Sequence, residues 1–237
     1  MYSMFGDFSP LPALVLMLEK YPKLHLYLDD AHGMSWTDPR GTGYVFQYIA
    51  NHPRVVFCIS QAKGFGAGGG VFLIADPKMR DLVRTLGQTM IFSGPIQIPV
   101  LGAAIAFANL HLSGEVELLQ KDLSAKLELA EIKCREYGLP LVSKGLIPIF
   151  FIGIGTTPLA IAVCKQLKDA NFLVNVAAYP AVPPGRSGLR ISINASHTAA
   201  EITNLFDNIG QLLPKYLKAE NSSMAKVASD FGCANLG

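Results

Sequence analysis

Short apolar runs that end in polar residues mark the first third of the chain. Residues 24–28 are largely apolar and lead directly into Asp-Asp-Ala-His-Gly at 29–33, and residues 55–59 lead into Ser-Gln-Ala-Lys at 60–63. A third run, at 71–75, follows a glycine-rich stretch at 64–70. Runs of this length bounded by glycine and polar residues are typical of buried strands. Since open parallel sheets bind ligands beyond the carboxyl ends of their strands, the two polar clusters predict a ligand site.

Helical spacing of apolar residues predicts most of the remaining elements. A first helix covers 11–21, and further helices are predicted at 77–88, 99–112, 115–137, 158–171 and 199–217. Three more strands are predicted at 147–154, 173–178 and 189–194. The helix at 99–112 is predominantly apolar and is expected to be buried. The order of elements predicts an α/β part at 1–114, a connecting helix at 115–137, a small α+β lobe at 138–218 and a loose tail at 219–237.

Composition and charge exclude several classes of protein. Hydrophobic residues make up 50% of the chain and charged residues 16%, which indicates a substantial core. The 20 basic and 18 acidic side chains are scattered, a pattern that does not favour nucleic-acid binding. The longest apolar stretch, at 96–112, is interrupted by proline, glycine and polar residues, and the first residues do not resemble a signal peptide. We therefore expect a cytoplasmic protein without a membrane span.

The cysteines predict neither a disulfide framework nor a metal site. They lie far apart and form no C-x-x-C pair, and reduced thiols are the ordinary interpretation of such a pattern. The four residues are Cys58, Cys134, Cys164 and Cys233.

Lys63 is the first candidate for chemistry. It follows an apolar strand and is surrounded by glycines, where its amine would be partly desolvated and could act as a nucleophile toward an aldehyde cofactor. A lysine in a surface turn is the ordinary alternative for any lysine that precedes a glycine.

Three further polar side chains could serve the same cofactor. Asp29, as a buried carboxylate, could pair with a protonated pyridine nitrogen, His32 could hydrogen-bond a phenolic oxygen or the substrate, and Ser60 could bind a phosphate. Each also has a structural alternative: a turn cap for Asp29, a loop histidine for His32 and a strand-end hydrogen bond for Ser60. The residues alone leave both interpretations open.

Four motifs in order along the chain carry a resemblance to a known family. Residues 29–33 and 60–70 resemble the D-[DE]-A-H-[SG] and S-x-x-K-x-F-G…G-G motifs of the α-oxoamine synthases, which are fold-type I pyridoxal-phosphate-dependent enzymes. Residues 3–7 are similar to the family's S-M-x-G-D segment, and residues 185–191 with His197 and Thr198 are similar to its G-x-x-R-L-R-I…H-T signature. Because these motifs span nearly the whole chain, it is identified as a member of this family.

The resemblance implies a role for each matching residue. Lys63 would form the Schiff base with pyridoxal 5'-phosphate, Asp29 would contact its pyridine nitrogen, His32 would lie near its phenolic oxygen and Ser60 would bind its phosphate. Arg190 would bind the carboxylate of an amino-acid substrate through its bidentate fork.

A further implied contact crosses the dimer interface. Residues 92–95 stand where the family has F-S-[TN]-S, so Ser93 would contact the phosphate from a second subunit, although Gly94 and Pro95 depart from the pattern.

The resemblance also implies a fold and a reaction. The fold would be the carboxyl-terminal half of a cofactor-binding large α/β domain with a mostly parallel sheet, followed by a small carboxyl-terminal α+β domain. The reaction would condense an amino acid with an acyl-CoA to give an α-amino ketone and carbon dioxide. An aminotransferase of class I/II and a non-catalytic partner subunit are the alternatives.

The resemblance also leads to expectations about the length of the chain and about its assembly. Family members have, before the S-M-x-G-D segment, a half of the large domain that this chain is expected to lack. A shortened form of a longer protein, one subunit of a split enzyme and a remnant with a binding role would each account for this. The expected partner is a second copy in a homodimer or a chain that supplies the amino-terminal half.

Overall fold

The computed structural model describes residues 1–233, which divide into two compact units. The first unit contains Met1 and Phe8–Gln120, and the second contains Tyr2–Asp7 and the chain from Lys121 onward. The boundary falls inside one long helix. Among the described residues, no helix is both long enough and apolar enough to cross a membrane.

The first unit is built on a sheet of three strands in the order β1-β2-β3. The strands are β1 (Leu26–Asp29), β2 (Val55–Ser60) and β3 (Gly70–Ile74). β1 is parallel to β2, and β2 is antiparallel to β3. Since side chains alternate between the faces of a strand, Phe57 and its neighbours on one face pack against helix α1 (Leu11–Lys20). The other face carries Asp29, Cys58 and Ser60.

Helices complete the first unit after the sheet. A short 3₁₀ helix (Val45–Gln47) lies between β1 and β2, and α2 (Pro77–Leu86), α3 (Ile98–Ser113) and the start of α4 (Glu115–Glu136) follow β3. The Asp76 side chain accepts a hydrogen bond from the backbone N–H of Lys78 and so caps α2.

The second unit contains an antiparallel sheet in the order β4-β6-β5. Its strands are β4 (Ile149–Gly155), β5 (Asn175–Ala177) and β6 (Ser187–Ser192), and its helices after α4 are α5 (Thr157–Asp169), α6 (Ala199–Ala219) and α7 (Met224–Phe231). Side chains of α4, α5 and α6 pack with Leu189 and Ile191 of β6 into one core. β4 is buried along nearly its whole length, which explains its unbroken apolar sequence.

Two sequence predictions about packing were wrong. The helix predicted at 99–112 forms as α3, but no side chain of it is buried, and Ile98 and Leu112 are 84% and 83% exposed. Apolar composition favours burial but does not identify the surface that covers a helix, and the described chain covers only part of this one.

The predicted tail at 219–237 was the second error, because it contains α7. The Ser223 hydroxyl accepts a hydrogen bond from the backbone N–H of Lys226 and caps this helix, and Val227 and Ala228 are buried. The Phe231 ring lies 6.2 Å from the Phe151 ring of β4. Burial of one apolar face stabilises a segment whose polar composition suggested none. The last four positions of the predicted tail, 234–237, lie outside the described residues.

Candidate functional site

The Lys63 amine and the His32 imidazole lie in contact. Lys63 Nζ is 2.8 Å from His32 Nε2, and Lys63 is exposed while His32 is half-buried. His32 follows β1 and Lys63 follows β2, and because these strands are parallel their carboxyl ends meet at the same edge of the sheet. A neutral imidazole nitrogen accepts a hydrogen bond from an amine or ammonium group, so a proton can be shared between the two side chains.

The loop that carries Lys63 is held close to the loop that carries His32. Gly64 passes the His32 loop so closely that a Cβ there would lie 2.8 Å from the Met34 carbonyl oxygen. Gly66 has a φ of +86°, and a Cβ there would lie 2.8 Å from the Phe107 ring of α3. Glycine is therefore required at both positions by contact, and at Gly66 by conformation as well.

Asp29 is exposed and its neighbour Asp30 is buried. The sequence led us to expect a buried carboxylate at Asp29, but Asp29 is exposed and its Oδ1 accepts a hydrogen bond from the Ala31 N–H at 2.9 Å. Asp30 is 1% exposed, and its Oδ2 accepts a hydrogen bond from the Val45 N–H at 2.9 Å. The alternation of side chains along β1 explains the difference, since Asp29 is on the open face of the sheet.

Ser60 lies at the end of β2 on the face that also carries Asp29. In the parallel register Asp29 is opposite Cys58, and Ser60 is two residues further along the same face. The Ser60 hydroxyl oxygen accepts a weak hydrogen bond from the Ala62 N–H at 3.3 Å. Its hydroxyl proton therefore remains available to an acceptor.

Ser93 lies in an exposed segment, 88–99, in which every residue is exposed. Its hydroxyl donates to the Met90 carbonyl at 3.0 Å. Within the described chain Ser93 makes no hydrogen bond to Lys63, His32, Asp29 or Ser60.

Arg190 belongs to the second unit, at the centre of β6. Its Nε donates to the Ser3 carbonyl at 2.8 Å, and Nη1 donates to the Ser192 hydroxyl at 3.1 Å. Burial lowers the pKa of the guanidinium from its ordinary value. Ser3 opens the 3–7 motif, so two of the motifs read from the sequence meet at Arg190.

A cavity of about 430 Å³ adjoins Arg190 within the second unit. Its walls combine apolar side chains of the 172–174 segment, β6 and α6 with polar ones, which besides Arg190 are Asn171, Asn175, Ser192, His197 and Glu201. It is of a size that a small ligand could fill.

Sequence reasoning missed one residue that contacts both loops of the site. The His111 ring of α3 stacks on Phe65, with ring centroids 5.0 Å apart, and its Nε2 is 3.0 Å from the Ser35 hydroxyl. Ser35 follows His32 by three positions, and Phe65 follows Lys63 by two. His111 is distant from both in sequence and belongs to no motif, so no local pattern could have indicated it.

Comparison with known proteins gives a consistent family. The model of the family described as aminotransferase class I and II matches residues 1–209. An 8-amino-7-oxononanoate synthase from Maricaulis maris is 30% identical over 223 residues, which cover 92% of this chain and 53% of that protein. A putative 8-amino-7-oxononanoate synthase from Caulobacter vibrioides is 32% identical over 212 residues, which cover 89% of this chain and 52% of that protein. The chain thus spans about half the length of the curated relatives it matches.

Solved structures give the same fold. The serine palmitoyltransferase of Sphingomonas wittichii superposes with a TM-score of 0.78 at 25% identity, covering 89% of this chain and 53% of that one. An 8-amino-7-oxononanoate synthase from Francisella tularensis superposes with a TM-score of 0.72 at 22% identity, covering 88% of this chain and 59% of that one. The fold of the chain is that of part of these transferases.

Proposed function

Because the chain belongs to the aminotransferase class I and II family, we propose that it carries the lysine-bearing part of a pyridoxal-phosphate site of the α-oxoamine synthase type. The observation that carries the proposal is the 2.8 Å contact between Lys63 Nζ and His32 Nε2 at the carboxyl ends of two parallel strands. An exposed amine beside a proton acceptor suits attack on an aldehyde.

The residues at this edge fit the proposed cofactor by their chemistry. Lys63 supplies the amine, the exposed Asp29 carboxylate supplies a partner for a protonated ring nitrogen, and the Ser60 hydroxyl supplies a donor for a phosphate oxygen. His32 supplies a nitrogen that can bond the ring oxygen. Bound pyridoxal phosphate would contribute an aldehyde that condenses with an amine and a ring that withdraws electrons.

Each side chain has a separate task in this proposal. Lys63 would hold the cofactor through its amine, and the same amine would take up and return the proton of the substrate α-carbon. His32 would share a proton with the Lys63 amine, and the negative charge of Asp29 would favour a protonated ring nitrogen. Arg190 would bind the substrate carboxylate through its guanidinium, whose Nε and Nη1 donate to Ser3 and Ser192 in this structure.

The proposed overall reaction joins an amino acid to an acyl-CoA. A carbon–carbon bond forms between the amino-acid α-carbon and the acyl carbonyl carbon, the thioester bond breaks to release CoA, and the carboxylate leaves as carbon dioxide. The names of the curated relatives support this choice. The description of the matching family model favours transamination as the second candidate, in which the amino group moves and no carbon dioxide is released.

Borohydride trapping tests the cofactor assignment on the full chain. After incubation with pyridoxal phosphate and reduction, we expect peptide mass analysis to find a pyridoxyl group on Lys63. The Lys63→Ala variant should lose that adduct, whereas Lys78→Ala, which removes an exposed lysine at the start of α2, should keep it. Absence of the adduct on Lys63 in the unaltered chain would contradict the proposal.

Product analysis separates the two reactions. With an amino acid and an acyl-CoA, the proposed reaction releases one carbon dioxide and one free thiol for each product molecule. A 2-keto acid formed without release of a thiol would instead identify an aminotransferase.

We also propose that the partner of this chain is a second copy of itself. The support is the continuous exposed segment at 88–99, which contains Ser93 and runs into the exposed apolar residues Ile98, Leu101 and Ile105 of α3. Apolar surface of this kind on a helix marks a contact with another chain. In such a dimer Ser93 would be brought to the phosphate site of the second copy.

A further inference from the structure

We propose that His111 is a positioning residue that sets the contact between Lys63 and His32, an inference that rests on the proposed function. His111 is half-buried in the last turn of α3 and touches neither Lys63 nor His32 in a described hydrogen bond. It acts through one residue of each loop: Ser35 in the His32 loop and Phe65 in the Lys63 loop.

His111 contacts the His32 loop at Ser35, whose backbone and side-chain polar groups all form hydrogen bonds. Ser35 is buried and has a φ of +79°, a conformation that costs free energy in a residue other than glycine. Its N–H donates to the Gly41 carbonyl at 2.8 Å and its carbonyl accepts from the Gln120 side-chain amide at 3.0 Å. His111 Nε2, 3.0 Å from the Ser35 hydroxyl, satisfies the remaining polar group.

The contact with the Lys63 loop is a ring stack. Phe65 is 6% exposed, and its ring lies at 23° to the His111 ring with centroids 5.0 Å apart. The Phe107 ring, one turn earlier on α3, lies 6.2 Å from Phe65 and also blocks any side chain at Gly66. Phe65 is therefore held against α3, and Lys63 two residues earlier is held with it.

The orientation of the His111 ring is fixed from both sides. Nδ1 is 2.7 Å from the Phe107 carbonyl, and since a carbonyl oxygen can only accept, Nδ1 carries the proton. When the ring is neutral, Nε2 is then the acceptor for the Ser35 hydroxyl. One rigid ring on a helix thus sets the position of both loops, which explains how the exposed Lys63 amine and the half-buried His32 imidazole come to lie 2.8 Å apart.

The test removes the hydrogen bond and keeps the stack. His111→Phe combined with Ser35→Ala removes both partners of the bond, so no buried hydroxyl is left unsatisfied and the thermal unfolding midpoint should stay close to that of the unaltered chain. His111→Gln is the complementary variant, because its amide can bond the Ser35 hydroxyl while the ring that stacks on Phe65 is removed. His25→Phe is the matched control, since that imidazole is exposed and is hydrogen-bonded to the Lys23 carbonyl.

Two readouts separate positioning from simple stability. The first, on the full chain without cofactor, is the rate at which an amine-directed acylating reagent modifies Lys63 relative to Lys78, measured by peptide mass. The second is the rate of pyridoxyl trapping on Lys63. Because misplacement of a reacting group by about 1 Å can cost about 100-fold in rate, we expect the double variant to change both readouts by about tenfold. His111→Gln, which loses the stack on Phe65, should also change both readouts by about tenfold, whereas His25→Phe should stay within about twofold of the unaltered chain.

The outcomes distinguish this inference from the proposed function. Failure of the unaltered chain to form the pyridoxyl adduct would contradict the function, and the acylation ratio would still decide the role of His111. An unaltered acylation ratio in a folded double variant would overturn the inference. If the double variant unfolds early, His111→Gln decides: an unaltered acylation ratio in that variant, when folded, would overturn the inference too.

Discussion

At the level of single residues, Asp29 and Asp30 show how neighbours in sequence acquire different tasks. Asp29 is exposed on the open face of the sheet, where its charge can meet a ligand. Asp30 is buried and is bonded to the Val45 N–H, and a Cβ on Gly33 or Gly43 would lie 2.2 Å or 2.5 Å from its carboxylate oxygens. Asp30 therefore belongs to the framework of the His32 loop, whereas Asp29 is available to the proposed cofactor site.

Because Asp30 is buried and Asp29 is exposed, alanine substitutions at the two positions should have different effects. Asp30→Ala leaves the buried Val45 N–H without a partner and should lower the free energy of unfolding by about 1–3 kcal/mol. Asp29→Ala removes one part-buried hydrogen bond, from the Ala31 N–H, and should cost less, about 0.5–1.5 kcal/mol, but it should slow pyridoxyl trapping on Lys63. Urea unfolding together with the trapping assay checks both. Equal losses of stability would contradict the assignment.

Arg54 carries a second prediction about a single side chain. Its guanidinium donates to the carbonyls of Leu18, Tyr21 and Leu24 and so closes the carboxyl end of α1 against β1. Lysine keeps the charge but not the planar fork, so Arg54→Lys should lower the free energy of unfolding by about 1–3 kcal/mol. Arg84→Lys, at an exposed position of α2, is the matched control and should have almost no effect. A stability loss shared by both variants would contradict this account.

At the level of elements, the start of α6 depends on a capping box. The Thr198 hydroxyl accepts from the Glu201 N–H, and the Glu201 carboxylate accepts from the Thr198 N–H at 2.7 Å. Thr198→Ala should lower the free energy of unfolding by about 1 kcal/mol, and Thr198→Ser should retain most of the stability. Thermal unfolding of the two variants measures the difference, and similar losses would show that the hydroxyl is not the cap.

The same box predicts a dependence on pH. The backbone and side-chain hydrogen bonds from Thr198 lower the pKa of Glu201 below its ordinary value. Because the folded pKa is the lower one, the contribution of Glu201 is fully present above the unfolded pKa and is lost as the pH falls through the folded pKa. The stability difference between the unaltered chain and Glu201→Gln should therefore vanish in acid. A difference that persists there, or one matched by the exposed Glu220→Gln, would contradict the prediction.

The close packing of α6 against Tyr137, which follows α4, requires a glycine within the helix. Gly210 lies so close to Tyr137 that a Cβ would be 2.2 Å from the ring. In a free helix Gly→Ala would stabilise by about 1 kcal/mol, but the clash should cost about 1–3 kcal/mol, so Gly210→Ala should destabilise. Adding Tyr137→Ala should make the same glycine substitution neutral or stabilising. A double-mutant cycle by urea unfolding tests this coupling.

Periodicity predicted where the elements lie, whereas the pairing of strands was expected from the family resemblance. The predicted helices and strands recur within a few residues of their observed bounds. The sheet of the first unit was expected to be mostly parallel, and one of its two pairings is antiparallel. The connection at 61–69 explains that pairing, since a parallel crossover needs about a dozen residues or more.

At the level of the whole molecule, the contacts of the candidate site that follow from strand pairing could be predicted from the sequence, and those that depend on side-chain packing could not. Lys63 and His32 could be expected to meet, because both follow strands that a parallel sheet aligns. Asp29 is exposed because of the face of β1 on which it lies, and a shift of the strand by one residue would place it on the opposite face. The sequence did not determine which face carries Asp29. His111 reaches the site across long sequence separations through side-chain packing alone, so only the folded chain reveals it.

The exposed apolar surface of α3 carries the last prediction, which concerns assembly. Ile98 and Ile105 are 84% and 56% exposed, and burying such side chains against a second copy would stabilise a dimer through the apolar area removed from water. We expect sedimentation to give a dimer, and Ile98→Glu should raise its dissociation constant by at least about tenfold, because a buried unpaired charge opposes association. Leu173→Glu, at an equally exposed apolar position of the second unit, is the control and should leave the dimer intact. Should the unaltered chain sediment as a monomer, Ser93 would have no second copy to serve, and the cross-subunit phosphate contact would fail with the dimer.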